Sequence, residues 1–123
     1  MKKSILIVED DEHQRAMFTH ALTMAGYQVV AASNGTEALR QALTGPFDLL
    51  LTDLYLPECQ GDLLIREIKL RQPSIKAVLM SCHRDLPEAA QLCQVDGMYR
   101  KDDLHQLMAL LFQLVAPQTL VMQ

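Results

Sequence analysis

The sequence of 123 residues is half apolar, carries a net charge of −4 and has a pI near 5.4. That length and apolar content suit one compact domain with one core, and the charge balance excludes a broad nucleic-acid-binding surface. No apolar stretch approaches the roughly 20 residues that a membrane span requires. Lys2-Lys3 leads into a short apolar run, Ile5 to Val8, before a cluster of acids, so no secretory leader is expected. Cys59, Cys82 and Cys93 are odd in number and lack CxxC spacing, which argues against a disulfide framework or a zinc site and for a reducing cytoplasm.

Ser4-Ile5-Leu6-Ile7-Val8 is a β-branched run typical of a strand buried on both faces, and it ends in Glu9-Asp10-Asp11-Glu12. Asp11 and Glu12 suit the cap and first turn of a helix, where the backbone dipole favours negative charge. That helix carries Met17, Phe18, Ala21 and Leu22 at helical spacing and closes near Gly26. Capping leaves Glu9 and Asp10 unexplained; they belong to the strand end. Residues 28–32 form a second strand. Ser33-Asn34-Gly35 is turn and cap chemistry, opening a helix over about 36–43 with Ala38, Leu39, Ala42 and Leu43 on one face.

Gly45-Pro46 breaks that helix and leads into Phe47-Asp48-Leu49-Leu50-Leu51-Thr52-Asp53, a nearly continuous apolar run that ends in one carboxylate. Pro57 cannot donate to a ladder, so Asp53 stands at the strand's C-terminal end. A loop to Gly61 precedes a helix with Leu63, Leu64, Ile68 and Leu70 as its apolar face, ended by Pro73. The fourth strand runs over 75–80 and stops at Ser81. A loop carrying His83, Arg84 and Asp85 precedes a short helix over about 87–94. Met98-Tyr99-Arg100 reads as a brief fifth strand closed by Lys101. Asp102 or Asp103 then caps a last helix that turns Leu104, Leu107, Met108, Leu111 and Leu114 inward and ends by Pro117. Five strands alternating with five helices predict an α/β fold with a parallel, doubly wound sheet and right-handed crossovers.

In such a sheet the strand ends bearing Glu9-Asp10, Asp53, Ser81 and Lys101 share one edge, where ligands bind in open α/β folds. Three carboxylates there repel one another and suit a hard divalent cation with oxygen ligands. Mg²⁺, which keeps several waters, fits an incomplete protein shell. A phosphoryl group arriving at Asp53 would find its oxygens neutralised by metal and Lys101 and hydrogen-bonded by Ser81. This is the pattern of a phosphoryl-acceptor site. By itself, a strand-end aspartate such as Asp53 reads as a turn cap; the other three strand ends change that reading.

The ordered set Ile5-Leu6-Ile7-Val8-Glu9-Asp10-Asp11, Asn34-Gly35, Asp53-Leu54-Tyr55-Leu56-Pro57 with Gly61, Val78-Leu79-Met80-Ser81, and Lys101 resembles the receiver domain of two-component response regulators over essentially the whole chain. The resemblance implies a flavodoxin-like receiver fold with strand order 2-1-3-4-5, a receiver unit over 1–117 and a tail over 118–123. It implies that Asp53 takes a phosphoryl group from a sensor histidine kinase or histidine phosphotransfer protein and so switches binding to a downstream effector. Asp10 matches the direct Mg²⁺ (or Mn²⁺) ligand, Glu9 the acid acting through a metal-bound water, and the backbone carbonyl of Tyr55 the third protein ligand. Ser81 matches the switch hydroxyl and Lys101 the phosphoryl counter-ion. Enzyme activity, by the same resemblance, is confined to self-directed transfer and slow autodephosphorylation, with no direct nucleic-acid binding and no membrane contact.

Several positions depart from the family pattern. Met98 stands where an aromatic switch residue is usual; Tyr99, one place on, is sent to the opposite face by strand alternation. Met98 therefore reads as a core or surface filler. Asp102 replaces a proline after the lysine, which removes the reason for a cis peptide. The span from Ser81 to Lys101 is slightly short, implying a trimmed fourth helix or loop and an altered output surface. Tyr55 and His83, two places after the acceptor and the switch hydroxyl, are large enough to obstruct an in-line water, which points to a long-lived phosphoryl group. His83 reads equally well as an exposed loop residue. Cys82 reads as a buried, inert thiol, and His13, His20 and His105 as surface residues. Of Met17 and Phe18, at least one belongs to the core. A receiver-shaped binding module that acts without phosphorylation is the alternative reading. A flavin- or nucleotide-binding protein of like topology lacks its Gly-rich loop here. Homodimerisation through the last helix stays open.

Overall fold

The computed structural model describes residues 2–81 and 95–117. The helix expected over about 87–94, together with Cys82, His83, Arg84, Asp85 and Cys93, lies outside the described residues, as does the tail over 118–123. Within them the chain runs β1 (Ser4–Val8), α1 (Glu12–Met24), β2 (Gln28–Ala32), α2 (Gly35–Ala42), β3 (Leu49–Asp53), α3 (Gly61–Arg71), β4 (Lys76–Ser81), β5 (Gly97–Arg100) and α4 (Leu104–Leu114). All strand pairs are parallel and the sheet order is β2-β1-β3-β4-β5, the expected arrangement.

Alternation along each strand splits the core into two layers separated by the sheet. Leu6, Val8, Leu50, Ala77 and Leu79 face Ala38 and Ala42 of α2 and Leu64, Ile65 and Ile68 of α3. Ile5, Ile7, Leu49, Leu51, Val78 and Met80 face Phe18 and Leu22 of α1 and Leu107 and Leu111 of α4. Because both faces are covered, β1 and β3 read as nearly continuous apolar runs. Each buried leucine or isoleucine contributes about 1.5–3 kcal/mol. The single core expected from composition is thus a double one.

Helix ends follow the sequence signals closely. Asp11 and Asn34 cap α1 and α2 by accepting backbone N–H groups of Gln14 and Glu37, and Asp103 rather than Asp102 caps α4. Gly26, past the end of α1, takes a φ of 103°, which a side chain would strain. The described residues contain no cis peptide bond, in keeping with Asp102 after Lys101.

The apolar faces need correction. Leu43 lies beyond the last turn of α2 and is exposed. On α3 the buried face is Leu64, Ile65 and Ile68, while Leu63 and Leu70 are 47% and 71% exposed. Leu63 and Leu70, seven residues apart, lie within about 20° of each other on the face opposite the buried stripe. Of Met17 and Phe18, the phenylalanine enters the core and the methionine is exposed. The last helix ends at Leu114, three residues before Pro117, with the Val115 N–H still bonded to the Leu111 carbonyl. Leu104, Met108 and Leu114, expected inward, are only partly buried against the core.

Candidate acidic site at the C-terminal edge of the sheet

β1 hands directly to Glu9, whose N–H bonds the Ala32 carbonyl at 3.1 Å, so the residue continues the strand rather than starting the helix. Its side chain is only 1% exposed. Asp10 is exposed, and Asp53, the last residue of β3, is 8% exposed. Carboxylate oxygens of Glu9, Asp10 and Asp53 all lie within 4.8 Å of one another. Parallel pairing of β1 with β3, in which Val8 stands opposite Thr52, brings the acids together across 44 residues of sequence.

Lys101 closes the group. Its N–H continues the β4–β5 ladder onto the Ser81 carbonyl at 3.1 Å, and its ammonium donates to Glu9 Oε1 at 2.5 Å and Asp53 Oδ2 at 3.0 Å. A further hydrogen bond reaches Gln14 Oε1 at 2.8 Å. Arg15 donates to the Glu9 and Asp10 carbonyls at 2.9 and 3.4 Å, tying the acid-bearing turn to α1. Gly61 explains itself here: a Cβ at that position would lie 2.1 Å from the Asp53 carbonyl oxygen, and its N–H bonds the Leu54 carbonyl at 2.6 Å.

Burial pushes the Glu9 carboxyl above its ordinary range, Asp53 adds repulsion, and the Lys101 contact offsets only part of this. Burial alone would lower the Lys101 ammonium, yet its bonds to Glu9 and Asp53 prevail and hold it above its ordinary range. Both shifts retain protons. For Glu9 the chief cause is burial and for Lys101 its two carboxylate partners, and the three converging carboxylates suit a hard divalent cation with oxygen ligands. Glu9 Oε1 is taken by Lys101 and Oε2 by the Asp11 N–H at 3.2 Å, while Asp10 is exposed.

The remaining sequence-derived positions fall into two groups. Ser81, buried at the end of β4, shares the edge with Asp53, one residue past the Met80 that pairs with it. Tyr55 follows β3, is exposed and pairs with Gln60 across the turn. Met98 is 45% exposed, whereas Tyr99 points into the opposite layer and meets Phe18 edge-on, ring centroids 6.5 Å apart. Met98 is thus a surface residue. His13, His20 and His105 are exposed. Gln14 and Arg15 were absent from the sequence reading, because nothing in a polar helix start reports that it faces a lysine 87 residues away.

Fold and edge chemistry together define a doubly wound α/β domain with an acidic, lysine-bearing strand-end site. A family model for the response regulator receiver domain matches residues 5–109, and the chain belongs to that family. It is 31% identical over 122 residues to the transcriptional regulatory protein GlrR of Escherichia coli (strain K12), covering 94% of this chain and 27% of that protein. It is 38% identical over 79 residues to the response regulator receiver protein CpdR of Brucella abortus (strain 2308), covering 64% of this chain and 66% of that protein. The structure of response regulator protein TrrA from Thermotoga maritima, in complex with Mg(2+)-BeF, superposes with a TM-score of 0.84 at 25% identity, covering 92% of this chain and 99% of that one. The chain therefore spans about a quarter of the length of GlrR. No helix among the described residues is long and apolar enough to cross a membrane.

Proposed function

We propose that Asp53 is the phosphoryl acceptor of a cytoplasmic signalling switch, with Ser81 as the switch hydroxyl and Lys101 as the counter-ion. The observation that carries this reading is the convergence of the Glu9, Asp10 and Asp53 carboxylates on one another and of Lys101 Nζ on Glu9 and Asp53. An Asp53 oxygen attacks the phosphorus of a phosphohistidine on a sensor kinase or phosphotransfer protein. The new P–O bond forms, the P–N bond breaks, and the departing imidazole takes a proton from solvent. Lys101 Nζ, already 3.0 Å from Asp53 Oδ2, transfers its hydrogen bond to a phosphoryl oxygen. Asp10, Asp53 and the Tyr55 carbonyl would hold Mg²⁺ (or Mn²⁺), with Glu9 acting through water, and the cation would supply charge neutralisation for the phosphoryl group.

The charge then moves outward from a buried carboxylate to the phosphoryl oxygens and shifts a two-state equilibrium read by an effector. The receiver unit is taken as residues 1–117. Tyr55, exposed beside the acceptor, obstructs attacking water, so the acyl phosphate decays slowly. Intact mass after incubation with a small-molecule phosphodonor tests the reading. A gain of about 80 Da that needs Mg²⁺ and vanishes in Asp53→Ala is the expected result. Absence of any gain, from phosphoprotein donors as well, would favour a binding module that works without phosphorylation. The decay of the gained mass tests persistence: loss within seconds would remove any role for Tyr55 in shielding the bond.

A further inference from the structure

A lysine ammonium has three hydrogens and no acceptor, and Lys101 bonds three acceptors, Glu9 Oε1, Gln14 Oε1 and Asp53 Oδ2. Two of these are carboxylates that the receiver chemistry already employs. The third is a neutral amide in the first turn of α1. Its backbone is fixed by the N-cap bond from the Gln14 N–H to Asp11 Oδ1 at 2.9 Å, so the amide projects from a capped first turn. Because lysine only donates, the Gln14 carbonyl oxygen and not its nitrogen must face Nζ.

We propose that Gln14 is a positioning residue for Lys101, forming with Glu9 a two-point pivot that keeps the third ammonium hydrogen directed at Asp53. The inference rests on the receiver reading above, since its purpose is to present that hydrogen to a phosphoryl oxygen. Glu9 and Asp53 alone would draw the ammonium onto the line between them. A neutral acceptor holds it off that line without adding charge that repels an incoming phosphoryl group. Arg15 on the next residue fixes the Glu9 and Asp10 carbonyls, so the same turn of α1 sets both the acids and the lysine. The helix start thus does more than cap.

The test uses Gln14→Met, which keeps length and helix preference but removes the acceptor, and Gln14→Glu, which keeps the acceptor and adds charge. Hydrogen exchange at the Lys101 ammonium is read by nitrogen-15 NMR without metal, and beryllofluoride affinity is read at saturating Mg²⁺. In Gln14→Met, exchange accelerates and beryllofluoride binding weakens by about tenfold each, with Mg²⁺ affinity within about twofold of wild type. In Gln14→Glu, exchange stays slow while beryllofluoride binding is weak. A Gln14→Met protein matching wild type in exchange and in beryllofluoride affinity overturns the proposal. So does one in which Mg²⁺ affinity and thermal stability fall in step with beryllofluoride binding, the mark of general damage. A wild-type protein that takes up no beryllofluoride overturns the receiver reading itself, and the pivot's role with it, whatever the exchange rates.

Discussion

At the N-terminal edge of the sheet, polar groups are closed by hydrogen bonds that leave little charge unbalanced. The Gln72 side chain accepts from the Phe47 N–H at 2.9 Å and donates to the Ala42 and Gly45 carbonyls at 2.8 and 3.2 Å. The Tyr27 hydroxyl donates to the Val115 carbonyl at 2.7 Å, and Asp48 accepts the Ser4 N–H at 2.7 Å. At the C-terminal edge, Glu9, Asp10, Asp53 and Lys101 converge instead, with both Glu9 and Lys101 shifted toward holding protons. One edge is built for stability. The other keeps an electrostatic demand unmet so that a cation and a phosphoryl group can meet it, a trade common at functional sites.

The comparison breaks most visibly at Lys101. Lys101→Met leaves the buried Glu9 and Asp53 carboxylates without a counter-charge and costs about 3 kcal/mol in metal-free urea unfolding. Added Mg²⁺ restores part of that loss. If the loss is the same with and without Mg²⁺, the charge excess is not what Lys101 balances.

Gln72→Ala removes three partly buried hydrogen bonds at the opposite edge and costs about 2 kcal/mol. Calorimetric Mg²⁺ affinity stays unchanged in that variant, and a fall in it would mean that the two edges are coupled. Tyr27→Phe orphans one carbonyl and costs about 1 kcal/mol at neutral pH. Burial pushes the Tyr27 phenol up to about 12 from an ordinary value of 10.0. The unfolded chain therefore loses that proton first, and wild-type stability falls as pH rises through this window, by about 3 kcal/mol at most. Tyr27→Phe lacks that component of the alkaline decline in a denaturation series.

Glu9→Gln gives the smallest effect. Above its ordinary value of 4.5, the folded Glu9 carboxyl keeps a proton that the unfolded chain has released. Its contribution to wild-type stability therefore declines as pH rises through that window, by no more than about 1.4 kcal/mol per pH unit. The stability of Glu9→Gln relative to wild type falls as the pH is lowered toward the ordinary value, measured by urea unfolding without metal. A pH-independent difference would show that burial does not raise the Glu9 carboxyl.

Strand and helix order, the parallel sheet and the strand-end residues were legible in the sequence, because apolar runs, caps and breakers are local signals that the backbone obeys. Asp53 was legible because it ends an apolar run abruptly, and Lys101 because it closes the brief fifth strand. The helix faces were read less well. Leu63 and Leu70 differ from Leu64 and Ile68 only in angle around α3, and packing against the sheet selected the face.

Tertiary structure alone decided the rest. It committed both oxygens of Glu9, placed the Gln14 amide on Lys101, and sent Tyr99 to Phe18 while leaving Met98 at the surface. The sequence determined which chemical groups reach the C-terminal edge, since that follows from where each strand stops. Which atoms touch there depends on the register of β1, β3, β4 and β5 and on the rotation of α1, and these are set by packing between residues far apart in the chain.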